Sequence, residues 1–488
     1  MASNTSNSDS DDRLIIGIDF GTTYSGAAYA FVNAGKKDVI SIMDWPGLNG
    51  LKEPKIPTAI CYDASDKSKF TWGAQKHNGS VIRGVKLLLD PTQPKPLYLP
   101  PSTARADILR YGKPPGEVTS DYIREISNHA LKRITSSVPS GYVDMCEKEY
   151  VLTVPAVWSD RAKNVTLLAA KAAGMWPITL IKEPEAAALY AIHDMSDKGL
   201  KVGNSLVICD RGGGTVDLIS YEITALEPRL ELKELVPSKG GMSGSLGLNM
   251  RFENEVCYLI GEDQYLRIRE ISSFEFAMNH FDKNVKNAFR GDLEEVFYVM
   301  FPGGNLIDDL PHNLSRDTWQ LKDNAPSKKI AAIILVGDFG DNEYLKNRLE
   351  QNHQGIQVIR PSHAWSAIVK GAVLSQLQDK AKVVSTIAPR HYGVAAMVPF
   401  VESRDKDMLQ SESAIAPTYL NYLVTDNCTL IADFTEMDRK KLKKRTGVDG
   451  KIYFKLGYDL VVTIKSAIMN FSLEIDGKVI GSVEAKYE

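Results

Sequence analysis

The feature that most constrains this chain is a turn that occurs twice. An apolar run from Leu14 to Ile18 ends at Asp19, a Gly/Thr turn follows, and Ala27 to Val32 leads away as a second apolar segment. That order reads as strand, tight turn, strand. The same grammar returns at Leu206–Cys209, where Asp210 opens a glycine turn through Gly214 and Val216 to Ile223 alternates as an outgoing strand. Asp-x-Gly-x-Thr stands at Asp19 to Thr23, and a lengthened Asp-x-Gly-Gly-Gly-Thr at Asp210 to Thr215. One such turn would mean little, because Gly, Asp and Thr collect in turns for conformational reasons. Two of them, each between strands, indicate a duplicated half-domain.

The rest of the chain supports a layered α/β fold. Tyr150 to Val154 reads as a strand stopped by Pro155, Asp160 as the cap of a helix through Lys171, and Ala186 to His193 as a helix begun after Pro184. Lys329 to Val336 is a further buried strand ending in Gly337, while Phe274 to Phe289, Asn342 to Gln351 and Trp365 to Leu377 have helical patterns. Strands alternating with helices make the fold class α/β. Beyond about Ala381 strand-like segments take over. They finish in Phe471 to Ile475, an Asp476-Gly477 turn and Val479 to Tyr487, a spacing that suits a hairpin with a two-residue type I′ turn. The expected divisions are a solvated tail over 1–12, half-domains over 13–200 and 201–380, and a β-rich region over 381–488.

Composition narrows the function classes. Of 488 residues 43% are hydrophobic and 24% charged, with a formal net charge of -3, so no global field favours nucleic acid or an anionic membrane. Apolar stretches such as Ala331 to Gly337 fall far short of the roughly 20 residues a bilayer span needs. Residues 1–12 are Ser, Asn and Asp without a basic or apolar region, which reads as a tail rather than a signal peptide and implies the cytosol or nucleus. Five scattered cysteines without a C-x-x-C pair argue against disulfides and zinc. The basic run Arg439 to Arg445 reads as a solvated loop between strands, with a nuclear localisation signal as the alternative.

Polyphosphate needs donors that approach closely without side-chain bulk. Gly21, Thr22, Thr23 and Tyr24 offer them in the first turn, and Gly212, Gly213, Gly214 and Thr215 in the second. Asp19 and Asp210, at the ends of the preceding strands, are placed to hold Mg²⁺ through its waters. No G-x-x-x-x-G-K-[ST] and no strand-linked G-x-G-x-x-G competes with this reading.

Four strings together, Ile18 to Ser25, Val154-Pro155-Ala156, Glu183-Pro184-Glu185-Ala186-Ala187-Ala188 and Gly212 to Asp217, resemble the Hsp70 superfamily of actin-like ATPases in order and spacing. The likeness is to the divergent Hsp70-like proteins of filamentous fungi that are related to the animal Hsp70 family member 12 group, and it covers roughly residues 13 to 380. It implies a two-lobed, ribonuclease H-like duplicated fold that binds ATP or ADP with Mg²⁺. It also implies slow hydrolysis coupled to lobe closure, with client or partner proteins and co-chaperones as partners.

The resemblance also assigns roles. Asp19 and Asp210 would organise the Mg²⁺ hydration shell, Thr22, Thr23 and Thr215 would contact phosphates, and Glu183 would orient water. Lys76, in Trp72-Gly73-Ala74-Gln75-Lys76, is the counterpart of the family's catalytic lysine, one residue closer to its glycine than in relatives. Pro155 would be an interlobe switch, Gly240, Gly241 and Gly244 a loop near ribose and terminal phosphate, Lys286 part of the adenine-clamping helix, and Gly337 and Gly340 part of the adenosine loop.

Departures from the pattern point to weak nucleotide affinity. Arg211 replaces a small or apolar residue and reads as a solvated cation; Asp338 and Asp341 replace glycines, and Asn287 an arginine. They support a second reading, a pseudo-ATPase serving as scaffold or regulatory binding module. A third, a sugar or acetate kinase on the same duplicated core, fits the Glu183 string and the β-rich ending poorly.

Overall fold

The computed structural model describes residues 12–32, 38–91, 108–110, 112–194, 200–241 and most of 243–386, together with strand segments between 428 and 487. The chain forms two compact units, residues 1–387 and 388–488.

The first unit is mixed α/β. Its first sheet holds β1 (Arg13–Asp19), β2 (Tyr24–Val32), β3 (Ile40–Ser41), β4 (Ile56–Pro57), β5 (Glu147–Val154) and β6 (Ile178–Lys182). The order is β3-β2-β1-β5-β6, with β4 paired to the start of β2. β1 and β2 run antiparallel, β1 and β5 parallel. The second sheet comprises β7 (Ser205–Arg211), β8 (Val216–Ala225), β9 (Leu230–Gly241), β10 (Ile333–Val336), β11 (Val358–Ile359) and β12 (Ala381–Ser385), in the order β11-β10-β7-β8-β9-β12. β7 pairs antiparallel with β8 and parallel with β10, which repeats the surroundings of β1. Both expected hairpins are therefore present, each at the centre of a six-stranded sheet.

Central strands in such sheets are buried on both faces, which is why they read as apolar runs. Leu14, Ile15, Ile16, Ile18 and Ile208 are fully buried. α1 (Pro115–Ser137) and α2 (Asp160–Ala172) pack against each other, and α3 (Glu183–Asp194) meets strands of both sheets. Every residue of α3 from Glu183 to Ile192 is buried, so its alanine-rich sequence is that of a helix enclosed on all sides. It lies against α8 (Ala367–Leu374), and the two helices share one apolar core with both sheets. A second core forms around α4 (Leu246–Ile260), α5 (Glu262–Arg269) and α6 (Ser272–His280), closed by Val299 and Phe301. α7 (Glu343–Asn352) follows β10.

Four local expectations are corrected. Ser159, not Asp160, caps α2, its hydroxyl accepting from the Ala162 amide, because Ser in extended conformation presents its oxygen to the open turn. The helix expected over Phe274–Phe289 runs from Ser272 to His280, widens to a π turn over Phe281–Val285 and resumes at Lys286–Ala288. In the second unit, Val479–Tyr487 is two strands. Lys478–Gly481 pairs with Ile468–Ile475, whereas Val483–Tyr487 pairs with Cys428–Ala432. The end of the basic run is also a strand, Lys443–Thr446, paired with Ile452–Lys455. The Asp476-Gly477 turn lies outside the described residues. Among the described residues no helix is long and apolar enough to cross a membrane.

Candidate functional site

Each hairpin turn is held open from outside. In the first, the Thr58 hydroxyl donates to the Gly21 carbonyl at 2.9 Å and the Thr58 amide to the Thr23 carbonyl at 2.7 Å. In the second, the amides of Gly244, Ser245 and Leu246 donate to the carbonyls of Gly214, Gly212 and Gly213 at 3.1, 3.0 and 2.8 Å. Carbonyls in both turns are thus already engaged by donors from outside the turns, which suits a cavity meant for an acceptor-rich ligand.

The two turns touch. A Cβ on Gly213 would lie 2.3 Å from Thr23 Oγ1, and one on Gly214 would lie 2.6 Å from Thr22 Oγ1. They enclose a pocket lined by Asp19, Thr22, Glu183, Asp210 and Thr215, with a cavity of about 20 Å³. Thr22 also borders a much larger cavity of about 930 Å³ that reaches Tyr24, Asn249 and Asp282.

Charge concentrates in the inner pocket. Asp19, Glu183 and Asp210 line it as buried carboxylates and Lys55 and Lys86 as buried ammonium groups, while Asp217, opposite Asp210, is a further buried carboxylate. Lys55 Nζ lies 3.0 Å from Asp19 Oδ2, and Asp19 Oδ1 accepts from the Thr153 hydroxyl at 2.9 Å. Lys86 Nζ donates to Glu183 Oε1 at 2.5 Å and stands 5.8 and 5.6 Å from the ring centroids of Phe20 and Trp158. Asp210 Oδ1 is buried with no hydrogen-bond partner. Burial holds the Asp210 carboxyl well above its usual range, helped by the charges of Glu183, Asp217 and Asp19 and opposed by Lys55. Burial also raises Asp217, to about 6.

The Hsp70 family model, described as Hsp70 protein, matches residues 117–226, a span that includes Glu183 and the second hairpin. The mouse heat shock 70 kDa protein 12A is 25% identical over 80% of this chain and 73% of its own length. The human heat shock 70 kDa protein 12B is 24% identical over 80% of this chain and 72% of its own length. A chaperone protein HscA homologue of Rickettsia rickettsii is 28% identical over 75% of this chain and 56% of itself. The chain is a relative of the Hsp70 superfamily.

In this Hsp70 relative the lysine expected at 76 is elsewhere. Gly73 turns the backbone at φ +65°, the Gln75 side chain accepts from the Trp72 amide, and His77 folds back onto Thr71 and Gly73. Lys76 is left exposed on the outside of that turn. The buried lysine facing Glu183 is Lys86, in a 3₁₀ turn after Gly84. Its sequence signal was a lone cation within Val85-Lys86-Leu87-Leu88-Leu89, since lysine is almost never fully buried without a partner. Lys55, between Pro54 and Pro57, was also missed.

The other expected residues take several positions. Gly337 sits at φ +90°, where a Cβ would meet Asp210 Oδ1 at 2.4 Å, so it borders the inner pocket. Gly241 pairs with Val216 at the end of β9, and Gly244 packs on the second turn. Tyr24 donates to Asp282 Oδ2 at 3.3 Å. Lys286 bonds Asp282 and, at 3.0 Å, Asn249 Oδ1. Arg211 is no solvated cation. Its guanidinium lies 4.8 Å from the centroid of buried Phe339, whose amide donates to the Arg211 carbonyl at 3.1 Å. Lys286 Nζ approaches the same ring at 5.8 Å. Gly340, Asp338 and Asp341 lie outside the described residues.

Proposed function

We propose that the chain is an Hsp70-like nucleotide-binding protein of actin-like, two-lobed architecture that takes the phosphates of ATP or ADP between its two hairpin turns. The observation that carries this is the contact of Gly213 with Thr23 and of Gly214 with Thr22 around a pocket of paired lysines and carboxylates. Turn amides and the hydroxyls of Thr22, Thr23 and Thr215 bind phosphate oxygens, and Lys86 carries positive charge to their far side. Glu183, oriented by Lys86, holds a water for attack. Phosphoryl transfer depends mostly on positioning and charge stabilisation, so such a set suffices for slow hydrolysis.

The donor set suits Mg²⁺. Asp210 has a buried oxygen without a partner, and no three His, Cys, Asp or Glu side chains among the described residues converge as direct ligands, which favours a cation held through water by Asp19 and Asp210. When bound, the metal supplies neutralisation of phosphate charge. Lobe closure over ligand then passes to client or partner proteins in the cytoplasm or nucleus.

Calorimetry with ATP and Mg²⁺, followed by phosphate release from wild type and Asp210→Asn, tests this reading. Saturable binding, and turnover that falls at least about a hundredfold in the variant, support it. Absence of binding at millimolar ATP sinks it. Binding with no turnover above the variant gives the pseudo-ATPase reading, which the engagement of Arg211 and Lys286 with Phe339 favours.

A further inference from the structure

The two hairpins differ at one equivalent step. Asp19 faces Gly26 across the first, whereas Asp210 faces Asp217 across the second. What fills the space over Gly26 is Lys55. β4 pairs Tyr24 with Pro57 and Ser25 with Ile56, which brings Lys55 alongside Gly26. A Cβ on Gly26 would lie 2.7 Å from the Pro54 carbonyl oxygen and 3.1 Å from Lys55 Cγ. The bare glycine thus lets the lysine stem cross β2 and deliver its ammonium to Asp19.

Both side chains of that ion pair are 2% exposed, and Lys55 lines the same pocket as Gly21, Thr22 and Thr215. Desolvating two charges costs several kcal/mol each, so a buried pair adds little stability compared with apolar residues of the same volume. Four features converge on Lys55: the glycine, the flanking prolines, the strand register and the carboxylate. Together they fix a cation beside the hairpin turn.

We propose that Lys55 is a built-in phosphate-binding cation, held by Asp19, that lets the pocket take up a nucleoside polyphosphate with little dependence on divalent metal. This rests on reading the pocket as a phosphate site. Without Lys55, Asp19 would present an uncompensated carboxylate to incoming phosphate, and a bound metal would have to neutralise both. With it, that neutralisation is part of the fold, and Lys86 completes a second positive pole on the Glu183 side.

The test is calorimetric titration of the full chain with ADP, once with excess Mg²⁺ and once with EDTA, for wild type and Lys55→Met. The expected result is that chelation weakens wild type by less than about tenfold and Lys55→Met by at least about a hundredfold. A wild type that binds with Mg²⁺ but loses binding on chelation overturns the inference and leaves the phosphate reading standing. So does an equal metal dependence in both proteins. No wild-type binding under either condition overturns both. The wild-type comparison decides the matter by itself where Lys55→Met does not fold.

Discussion

Asp210 and Asp217 stand directly opposite each other on neighbouring strands, in register, and both are buried. Like charges at such a step repel. Burial raises Asp217 to about 6 against the pull of the Thr215 hydroxyl, Lys86 and the Val157 and Ala156 amides. Because the folded chain holds that proton more tightly than the unfolded one, the destabilisation is absent below about pH 4, grows as pH rises, and is complete above about pH 6. Asp217→Asn removes it. The variant gains up to about 3 kcal/mol at neutral pH and almost nothing near pH 4. Urea denaturation at both pH values checks this, and a pH-independent difference contradicts it.

Lys86 and Glu183 form a buried pair, so removing one partner leaves a buried charge. Lys86→Met is expected to cost about 3 to 5 kcal/mol, while Lys86→Met with Glu183→Gln costs at least about 1 kcal/mol less than the sum of the singles. Lys76→Ala stays within about 0.5 kcal/mol of wild type. Denaturation midpoints of the four variants give the answer, and a Lys76→Ala cost equal to that of Lys86→Met would refute the placement of the two lysines.

Contact between the turns makes Gly213 intolerant of a side chain. The new methyl of Gly213→Ala would meet Thr23 Oγ1 at 2.3 Å and Cγ2 at 2.4 Å. Forcing atoms into a packed contact costs about 1 to 3 kcal/mol. In a Thr23→Ala background, which removes those two atoms, the same substitution costs less. Thermal melts of the singles and the double read this out; strict additivity would mean that the turns do not touch.

Arg211 and Lys286 are both engaged with Phe339, and Lys286 also with Asp282. A base entering there competes with contacts worth about 0.5 to 2 kcal/mol each. ATP is therefore expected to bind no more than about tenfold tighter than inorganic tripolyphosphate. Competition calorimetry measures the ratio, and a preference of about a thousandfold for ATP excludes this account of the base side.

Both hairpins and the α3 helix were legible in the sequence, because each rests on local rules; that Glu183 joins Asp19 and Asp210 followed only from the resemblance to the Hsp70 superfamily. Apolar runs specify buried strands, Gly and Thr specify turns, and an alanine-rich run after a proline specifies an enclosed helix. The lysines were decided by tertiary structure alone. Lys76 stands one residue closer to Gly73 than its counterpart in relatives, and a left-handed glycine and the fold-back of His77 turn it outward. Lys55 reaches Asp19 only because β4 crosses a side-chain-free step of β2, and Lys86 reaches Glu183 across 97 residues of sequence. Sequence patterns carry short-range preferences of backbone and burial; which charge meets which across a pocket depends on strand register and glycine-sized gaps that exist only once the sheets have formed.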